Sequence, residues 1–105
     1  PALTPDFCVY VGDEAPLLPY LPPGSQTLRA AVAEALASAS VLLLQNHGML
    51  AVGRTVAEAY LRTGLTEEAA RIFLIAQATG RPVRTLSAAD RAALEAIRYA
   101  VLNRS

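Results

Sequence analysis

The pattern of apolar and polar positions is most regular in the stretch VLLLQNHGMLAVG, which runs from Val41 to Gly53. Four apolar residues without a polar break are followed by Gln-Asn-His-Gly and then by a second apolar run. Short continuous runs of branched apolar side chains are typical of strands that are buried on both faces. Two such runs joined by a short polar loop predict a hairpin. Val41–Gln45 and Met49–Gly53 are therefore predicted to be adjacent antiparallel strands.

The connection between these two strands carries His47, the single histidine of the sequence. Asn46 and Gly48 suit a tight reversal, because Asn tolerates a positive φ and Gly adopts one freely. A rigid hairpin that presents one imidazole at its tip makes His47 the candidate site residue. The alternative is an ordinary turn histidine that is solvated or hydrogen-bonded.

Upstream of the hairpin, the run Phe7–Val11 is predicted to be a strand. The segment Pro16–Pro23 holds four prolines, so it can form neither an interior strand nor a helix. It is expected to be an extended loop packed on its own domain, with a proline-rich recognition segment or linker as the alternative. A helix is predicted to follow, with Ser25 or Thr27 as its N-cap.

Downstream of the hairpin, Thr55–Glu58 matches a capping box, and a helix is predicted to run from there to Thr79. Glycine at position 64 within this helix predicts either a close packing contact or a kink. A second, weaker box at Ser87–Asp90 predicts a last helix. The side chains expected to face inward on these two helices are Tyr60, Leu65, Ala69, Ile72, Phe73, Ala76, Leu94, Ile97 and Val101.

Composition narrows the class of protein. The 105 residues suffice for one domain or part of one, and 53% of them are hydrophobic. No apolar run has the length of a membrane span and no leader opens the chain, so no membrane partner is expected. The charges of nine basic and nine acidic residues cancel, so the sequence shows no excess of positive charge that would indicate nucleic-acid binding. The lone Cys8 is expected to be a buried small hydrophobe in a cytoplasmic protein.

The identity of the basic residues excludes two kinds of site that depend on a lysine. All nine are arginine, so this chain cannot supply the lysine of a Schiff base or of a Walker-type phosphate loop. No serine lies in the motif of a nucleophile elbow.

Three sections of the sequence, LPPGS before a helix, LLLQNHGMLAVGRTVAEAY and EEAARI, together resemble the class II aldolase–adducin family. The resemblance extends from Pro1 to about Leu86 and matches the C-terminal half of a family domain, so residues 1–105 are interpreted as that half of a single domain. It implies an α/β fold with three layers (α/β/α), in which a largely antiparallel sheet is flanked by helices. Members usually assemble as homotetramers.

The resemblance further implies a class II, metal-dependent lyase that cleaves or rearranges a small sugar phosphate through a zinc-stabilised enediolate. The divalent metal, expected to be zinc, is held in the family by three histidines, of which the His of the NHG turn corresponds to His47. The other two histidines and the catalytic Glu would lie upstream of Pro1, so the 105 residues alone are expected to be inactive. A tyrosine that some aldolases use would fall close to Pro5, where the sequence has none.

Two other readings stay open at this point. The chain could belong to a non-catalytic assembly module similar to the adducin head, or to a binding domain of unrelated fold that carries a proline loop. In each case three strands do not form an independent sheet as broad as these helices could cover. Apolar surface is therefore expected to be buried against another subunit or against a missing N-terminal half.

Overall fold

The structure is a computed structural model that describes residues 2–102. It contains four helices and three strands in these residues: α1 Pro5–Tyr10, β1 Leu17–Leu18, α2 Gln26–Leu36, β2 Val41–Leu44, β3 Gly48–Ala51, α3 Val56–Gln77 and α4 Ala88–Leu102. The chain divides into two compact units. The middle unit is Ala15–Thr63, and the outer unit combines the segment up to Glu14 with the segment from Gly64 onward.

The middle unit is built on a three-stranded sheet in the order β1-β2-β3. The predicted hairpin is confirmed: β2 and β3 are antiparallel, and their register runs from the pair Val41 and Ala51 to the pair Leu44 and Gly48. β1 pairs with β2 in parallel, so the sheet is mixed rather than largely antiparallel. Helix α2 connects β1 to β2. Such a helical crossover brings the chain back to the starting edge of the sheet, so the second strand runs parallel to the first.

The predicted strand at Phe7–Val11 is wrong, because the segment forms helix α1 in the outer unit. The Thr4 hydroxyl caps this helix by accepting a hydrogen bond from the Phe7 amide at 3.3 Å, and Pro5 occupies its first turn, where no amide is needed. Phe7, Cys8 and Val9 are all buried in the outer unit, where α1 packs against α4. Such a short, nearly all-apolar helix has the same sequence pattern as a buried strand.

The third strand comes instead from the proline-rich segment. Leu17 and Leu18 pair with the edge of β2, and β1 lies at the outside of the sheet in the part of the chain that the structure describes. Proline is tolerated on an edge strand because the amide it lacks would face away from the ladder. The segment is thus extended, as predicted, and two of its residues are hydrogen-bonded into the sheet.

The predicted helix caps are confirmed. The Ser25 hydroxyl accepts a hydrogen bond from the Leu28 amide at 3.1 Å, which decides between the two predicted caps of α2. The Thr55 hydroxyl does the same for α3, and the Ser87 hydroxyl for α4. Helix α3 ends at Gln77, near the predicted position, and Gly80 follows three residues later at a φ of 74°. No helix among residues 2–102 is long and apolar enough to cross a membrane.

The apolar face predicted for α3 is partly wrong. Tyr60 is 79% exposed, whereas Arg62 and Thr66 are buried along with Ala69. Tyr60 lies two positions before Arg62, and two residues on a helix are about 200° apart, so the two side chains face opposite sides. Ile97 of α4, which was also expected to face inward, is 51% exposed.

Buried Arg62 ties the first turns of α3 to the end of β3 within the middle unit. Its Nη1 donates to the Val52 carbonyl at 2.7 Å and to Glu58 Oε1 at 3.0 Å. The same Glu58 oxygen accepts from the Arg54 amide at 3.1 Å, and Arg54 Nη2 donates to the other carboxylate oxygen at 3.1 Å. A buried charge is tolerated only when it is paired and hydrogen-bonded, and the Glu58 carboxylate meets both needs of Arg62.

These contacts lower the pKa of the Glu58 carboxyl below its ordinary value. The largest cause is the hydrogen bond from the Arg54 amide, and partial burial opposes it. The Arg54 side chain and the charge of Arg62 lower the pKa further. A carboxyl with a lower pKa in the folded state binds fewer protons there than in the unfolded chain, so it stabilises the fold above the unfolded pKa. That stabilisation is lost as pH falls through the folded pKa.

Glu58→Gln is therefore expected to lower the free energy of unfolding at pH 7 by about 2 kcal/mol, since hydrogen bonds to a charged group are lost. The difference from the unmodified protein should shrink as pH falls below the ordinary glutamate pKa, because the wild-type carboxyl is then protonated as well. Urea unfolding of both proteins between pH 7 and about pH 3 measures this. Glu68→Gln, in a solvent-exposed pair with Arg71, is the control and should leave the free energy of unfolding close to that of the unmodified protein. A Glu58→Gln difference that does not vary with pH would contradict this account of the carboxylate.

The loop between β3 and α3 passes very close to the helix at Gly53. A Cβ at this position would lie 2.8 Å from the Ala59 amide nitrogen and 2.9 Å from Glu58 Cβ. Gly64 is the opposite case, because apart from its chain neighbours and the backbone of its own helix no described atom lies within 4 Å of a Cβ built there. The close packing contact proposed for Gly64 from the sequence is therefore absent from this part of the chain.

Gly53→Ala is expected to destabilise the protein by about 1–3 kcal/mol, because the backbone of α3 must move to admit the methyl group. Gly64→Ala should stabilise it by about 1 kcal/mol, because alanine favours an open helix position. Thermal or urea unfolding of the two variants measures both effects. If Gly64→Ala destabilises instead, another surface packs closely against this glycine in the complete protein.

Candidate functional site

His47 lies at the tip of the hairpin, in a three-residue turn formed with Gln45 and Asn46. Its side chain is exposed, and its amide donates a hydrogen bond to the Leu44 carbonyl at 3.0 Å. The backbone of the residue is thus fixed while the imidazole is open to a ligand. The structure places His47 in the connection that the sequence predicted.

The strand that leads into this turn is held on both sides. On the β1 side, the Leu43 amide donates to the Pro16 carbonyl at 2.8 Å and the Gln45 amide donates to the Leu18 carbonyl at 3.1 Å. On the other side the antiparallel ladder with β3 continues to Leu44. The last of these anchoring bonds is therefore made by a turn residue two positions before His47. This arrangement supports the imidazole on backbone that has little freedom to move.

The reversal itself depends on Asn46, which has a φ of 60°. L-residues rarely adopt this left-handed conformation, and asparagine is the non-glycine residue that tolerates it best. The other residue expected to favour the turn, Gly48, is instead the first residue of β3 and pairs with Leu44. Asn46 therefore carries the backbone requirement of the turn.

The end of the hairpin opposite His47 is also held by hydrogen bonds. The Val52 amide donates to the Ser40 carbonyl at 2.9 Å, and the Val52 carbonyl accepts the hydrogen bond from Arg62. Arg62 was not among the residues predicted from the sequence, although its spacing four residues after Glu58 is that of a helical ion pair. An arginine in an amphipathic pattern is ordinarily assigned to the solvated face, so the spacing alone could not show that Arg62 is buried.

One imidazole can supply one ligand of a metal site but not a complete set of ligands. Among residues 2–102 the structure shows no group of three His, Cys, Asp or Glu side chains that could hold an ion together. Cys8 belongs to the outer unit and is buried, and its pKa is raised, first by burial and then by the charges of Asp13 and Glu95. A buried thiol with a raised pKa is neither a ready ligand nor a nucleophile, which agrees with the structural role predicted for it. Further ligands to an ion at His47 would have to come from outside these residues.

Comparison with known proteins gives a consistent result for this chain. Residues 1–74 match the model of the family described as the class II aldolase and adducin N-terminal domain. Two curated relatives, the 3-oxo-tetronate 4-phosphate decarboxylases of Escherichia coli strains K12 and CFT073, are each 34% identical over 91 residues. That alignment covers 87% of this chain and 42% of each relative, so the chain spans less than half the length of the curated proteins it matches.

Solved structures of related proteins share the fold. The crystal structure of YgbL from Escherichia coli, a candidate aldolase/epimerase/decarboxylase, matches with a TM-score of 0.72 at 34% sequence identity. YgbL from Klebsiella pneumoniae, with the same description, matches with a TM-score of 0.78 at 31% identity. Each comparison covers 89% of this chain and 44% of the other. The match over residues 1–74 shows that the chain belongs to the class II aldolase and adducin family.

Proposed function

We propose that this chain is part of a metal-dependent lyase that acts on a small phosphorylated sugar or sugar acid, and that His47 is one ligand of its divalent metal, zinc being the expected ion. The observation that carries the proposal is the exposed imidazole on an anchored turn, in a member of a family whose relatives include decarboxylases of a phosphorylated oxo acid. The relatives are more than twice as long as the chain, so the activity belongs to a protein with further sequence or a further subunit.

The reactions named for the relatives share one chemical requirement. Loss of carbon dioxide from a 3-oxo acid and cleavage of an aldol both leave an electron pair on the carbon next to a ketone. Both therefore need a group that withdraws electrons from that ketone. This chain has no lysine with which to form an imine there. A bound divalent metal supplies the withdrawal as a Lewis acid.

The residues of this chain contribute a fixed ligand. His47 can coordinate through one nitrogen of its neutral ring, and the turn limits where that ring can lie. The φ of Asn46 and the hydrogen bond from the His47 amide to the Leu44 carbonyl set this geometry before any ion binds. Ligands that are positioned in advance lose less entropy when the metal binds.

Exposed apolar side chains support the expectation of further protein around the chain. They occur in both compact units, and the described residues that expose more than half of a large apolar side chain are Leu17, Tyr20, Val56, Tyr60, Leu74, Ile75, Ile97 and Tyr99. Exposed apolar side chains of this kind mark an interface where they form one contiguous patch. We propose that these side chains are covered in the complete protein by the rest of the domain or by other subunits of a homotetramer.

Replacing His47 by alanine in the complete protein should lower zinc affinity by at least about 100-fold, because a direct ligand is lost and even outer-shell partners are worth 10–100-fold. Calorimetric titration of the metal-free protein with zinc measures this, and turnover of 3-oxo-tetronate 4-phosphate and of aldol substrates should be lost in parallel. Gln45→Ala, in the same turn, is the control and should leave both quantities close to wild type.

The 105 residues alone should bind zinc weakly, since one imidazole cannot replace the hydration shell of the ion. Zinc affinity that is the same with and without His47 would remove it from the ligand set and favour the assembly-module alternative.

The turn conformation gives a second test. Asn46→Val should lower zinc affinity and destabilise the protein by about 1–2 kcal/mol or more, because a β-branched residue strongly resists a positive φ. Asn46→Gly should keep both properties, because glycine adopts the same backbone without strain. The measurements are zinc calorimetry and urea unfolding of the two variants. Equal zinc affinity in Asn46→Val and Asn46→Gly would show that the conformation of the turn does not position His47.

A further inference from the structure

A pocket lies in the outer unit where α3 ends and the chain turns toward α4. Its volume is about 480 Å³, and it is lined by Ala76, Thr79, Arg81, Pro82, Val83 and Arg84. Three of the lining residues are apolar, and the other three carry a hydroxyl and two guanidinium groups. Pockets of a few hundred Å³ with an apolar floor and a few converging polar groups are typical of small-molecule sites.

The two guanidinium groups have no acidic partner within the described part of the chain. The ion pairs found among residues 2–102 use other arginines: Arg54, Arg62, Arg71 and Arg91. Arg81 and Arg84 therefore place two uncompensated positive charges beside one pocket, although the chain as a whole has no net charge. An anion would gain charge-assisted hydrogen bonds there.

The guanidinium groups of Arg81 and Arg84 are not needed to bond the last carbonyls of α3. Arginines near a helix C-terminus often bond the last free carbonyls, but here the turn itself does so. The Thr79 amide and hydroxyl both donate to the Ala76 carbonyl, at 3.2 and 2.7 Å, and the Gly80 amide donates to the Gln77 carbonyl at 3.2 Å. The guanidinium groups of Arg81 and Arg84 are thus left for another acceptor.

The segment that carries the arginines is held at both ends. At its start the Arg81 amide donates to the Thr79 hydroxyl at 3.2 Å. At its far end the Leu86 amide donates to the carbonyl of Ala2, a residue that is almost fully buried, at 2.9 Å. The wall of the pocket is therefore a short, tethered segment rather than a free loop.

We propose that this pocket binds an organic phosphate monoester, with the phosphate between Arg81 and Arg84 and the organic group on Pro82 and Val83. A phosphate monoester carries a charge of about −1.5 to −2 at pH 7, which matches two guanidinium groups better than a single carboxylate does. The apolar lining favours a ligand with a carbon body over inorganic phosphate. Binding at this pocket does not require His47.

The test uses the complete protein with ¹³C-labelled valine methyl groups, so that the signal of Val83 reports on the pocket itself. Phenyl phosphate should shift the Val83 methyl signals in a saturable way, while Val32 of the middle unit should not respond in the same titration. Inorganic phosphate should bind more weakly, and sodium chloride at equal ionic strength should give no saturable shift. The His47→Ala protein should respond as the wild type does, which separates this site from the proposed metal centre.

The double variant Arg81→Gln/Arg84→Gln should raise the Kd for phenyl phosphate at Val83 by at least about tenfold, because two charge-assisted contacts are lost. Arg71→Gln, which removes an exposed arginine of the preceding helix α3, is the control and should change the Kd by less than about twofold. The single variants Arg81→Gln and Arg84→Gln provide the comparison if the double variant does not fold. No saturable shift at Val83, or an unchanged Kd in the arginine variants, would overturn the proposal.

Discussion

The double hydrogen bonding of β2 is the constraint on which the middle unit depends. Its residues Val41 and Leu42 are almost completely buried, so their backbone groups must find partners within the protein. Val41 and Leu42 pair with Ala51 and Leu50 of β3, and the next two residues of β2, Leu43 and Leu44, pair with β3 on one side and with β1 on the other. A strand with both edges used cannot shift its register by one residue without exposing its buried side chains. The position of the turn that follows, and hence of His47, is a consequence of that fixed register.

The sequence could predict the hairpin and His47 because each of their requirements is local. The apolar runs define the strands, and the asparagine that enters the left-handed region lies between them. Helix caps were predictable for the same reason, since a serine or threonine hydroxyl bonds an amide only three residues away. Local chemistry of this kind does not depend on what the rest of the chain does.

The predictions that were wrong depended on distant contacts. The run Phe7–Val11 is apolar enough for a strand, and its packing against α4, about 80 residues later in the sequence, buries it as a helix, whereas the Thr4 cap and Pro5 that begin this helix are local. Tyr60 is apolar enough for the inner face of α3, yet that face is set by Arg62, whose charge is satisfied by the Val52 carbonyl and by Glu58. Sequence patterning assigns arginine to water, and it has no means of recognising a carbonyl ten residues away as a partner.

A single ligand on a stiff support explains why the candidate site cannot be completed from this chain. Metal ligands have to converge on one point, and convergence requires side chains from elements that are distant in sequence but adjacent in space. Residues 2–102 supply one exposed imidazole and no cluster of three ligating side chains. The backbone bonds at Leu43, Gln45 and His47 hold the backbone that carries this imidazole without any contribution from an ion. The hairpin can therefore form without an ion, and in the proposed metal site the remaining ligands would have to meet a residue whose backbone the fold already holds.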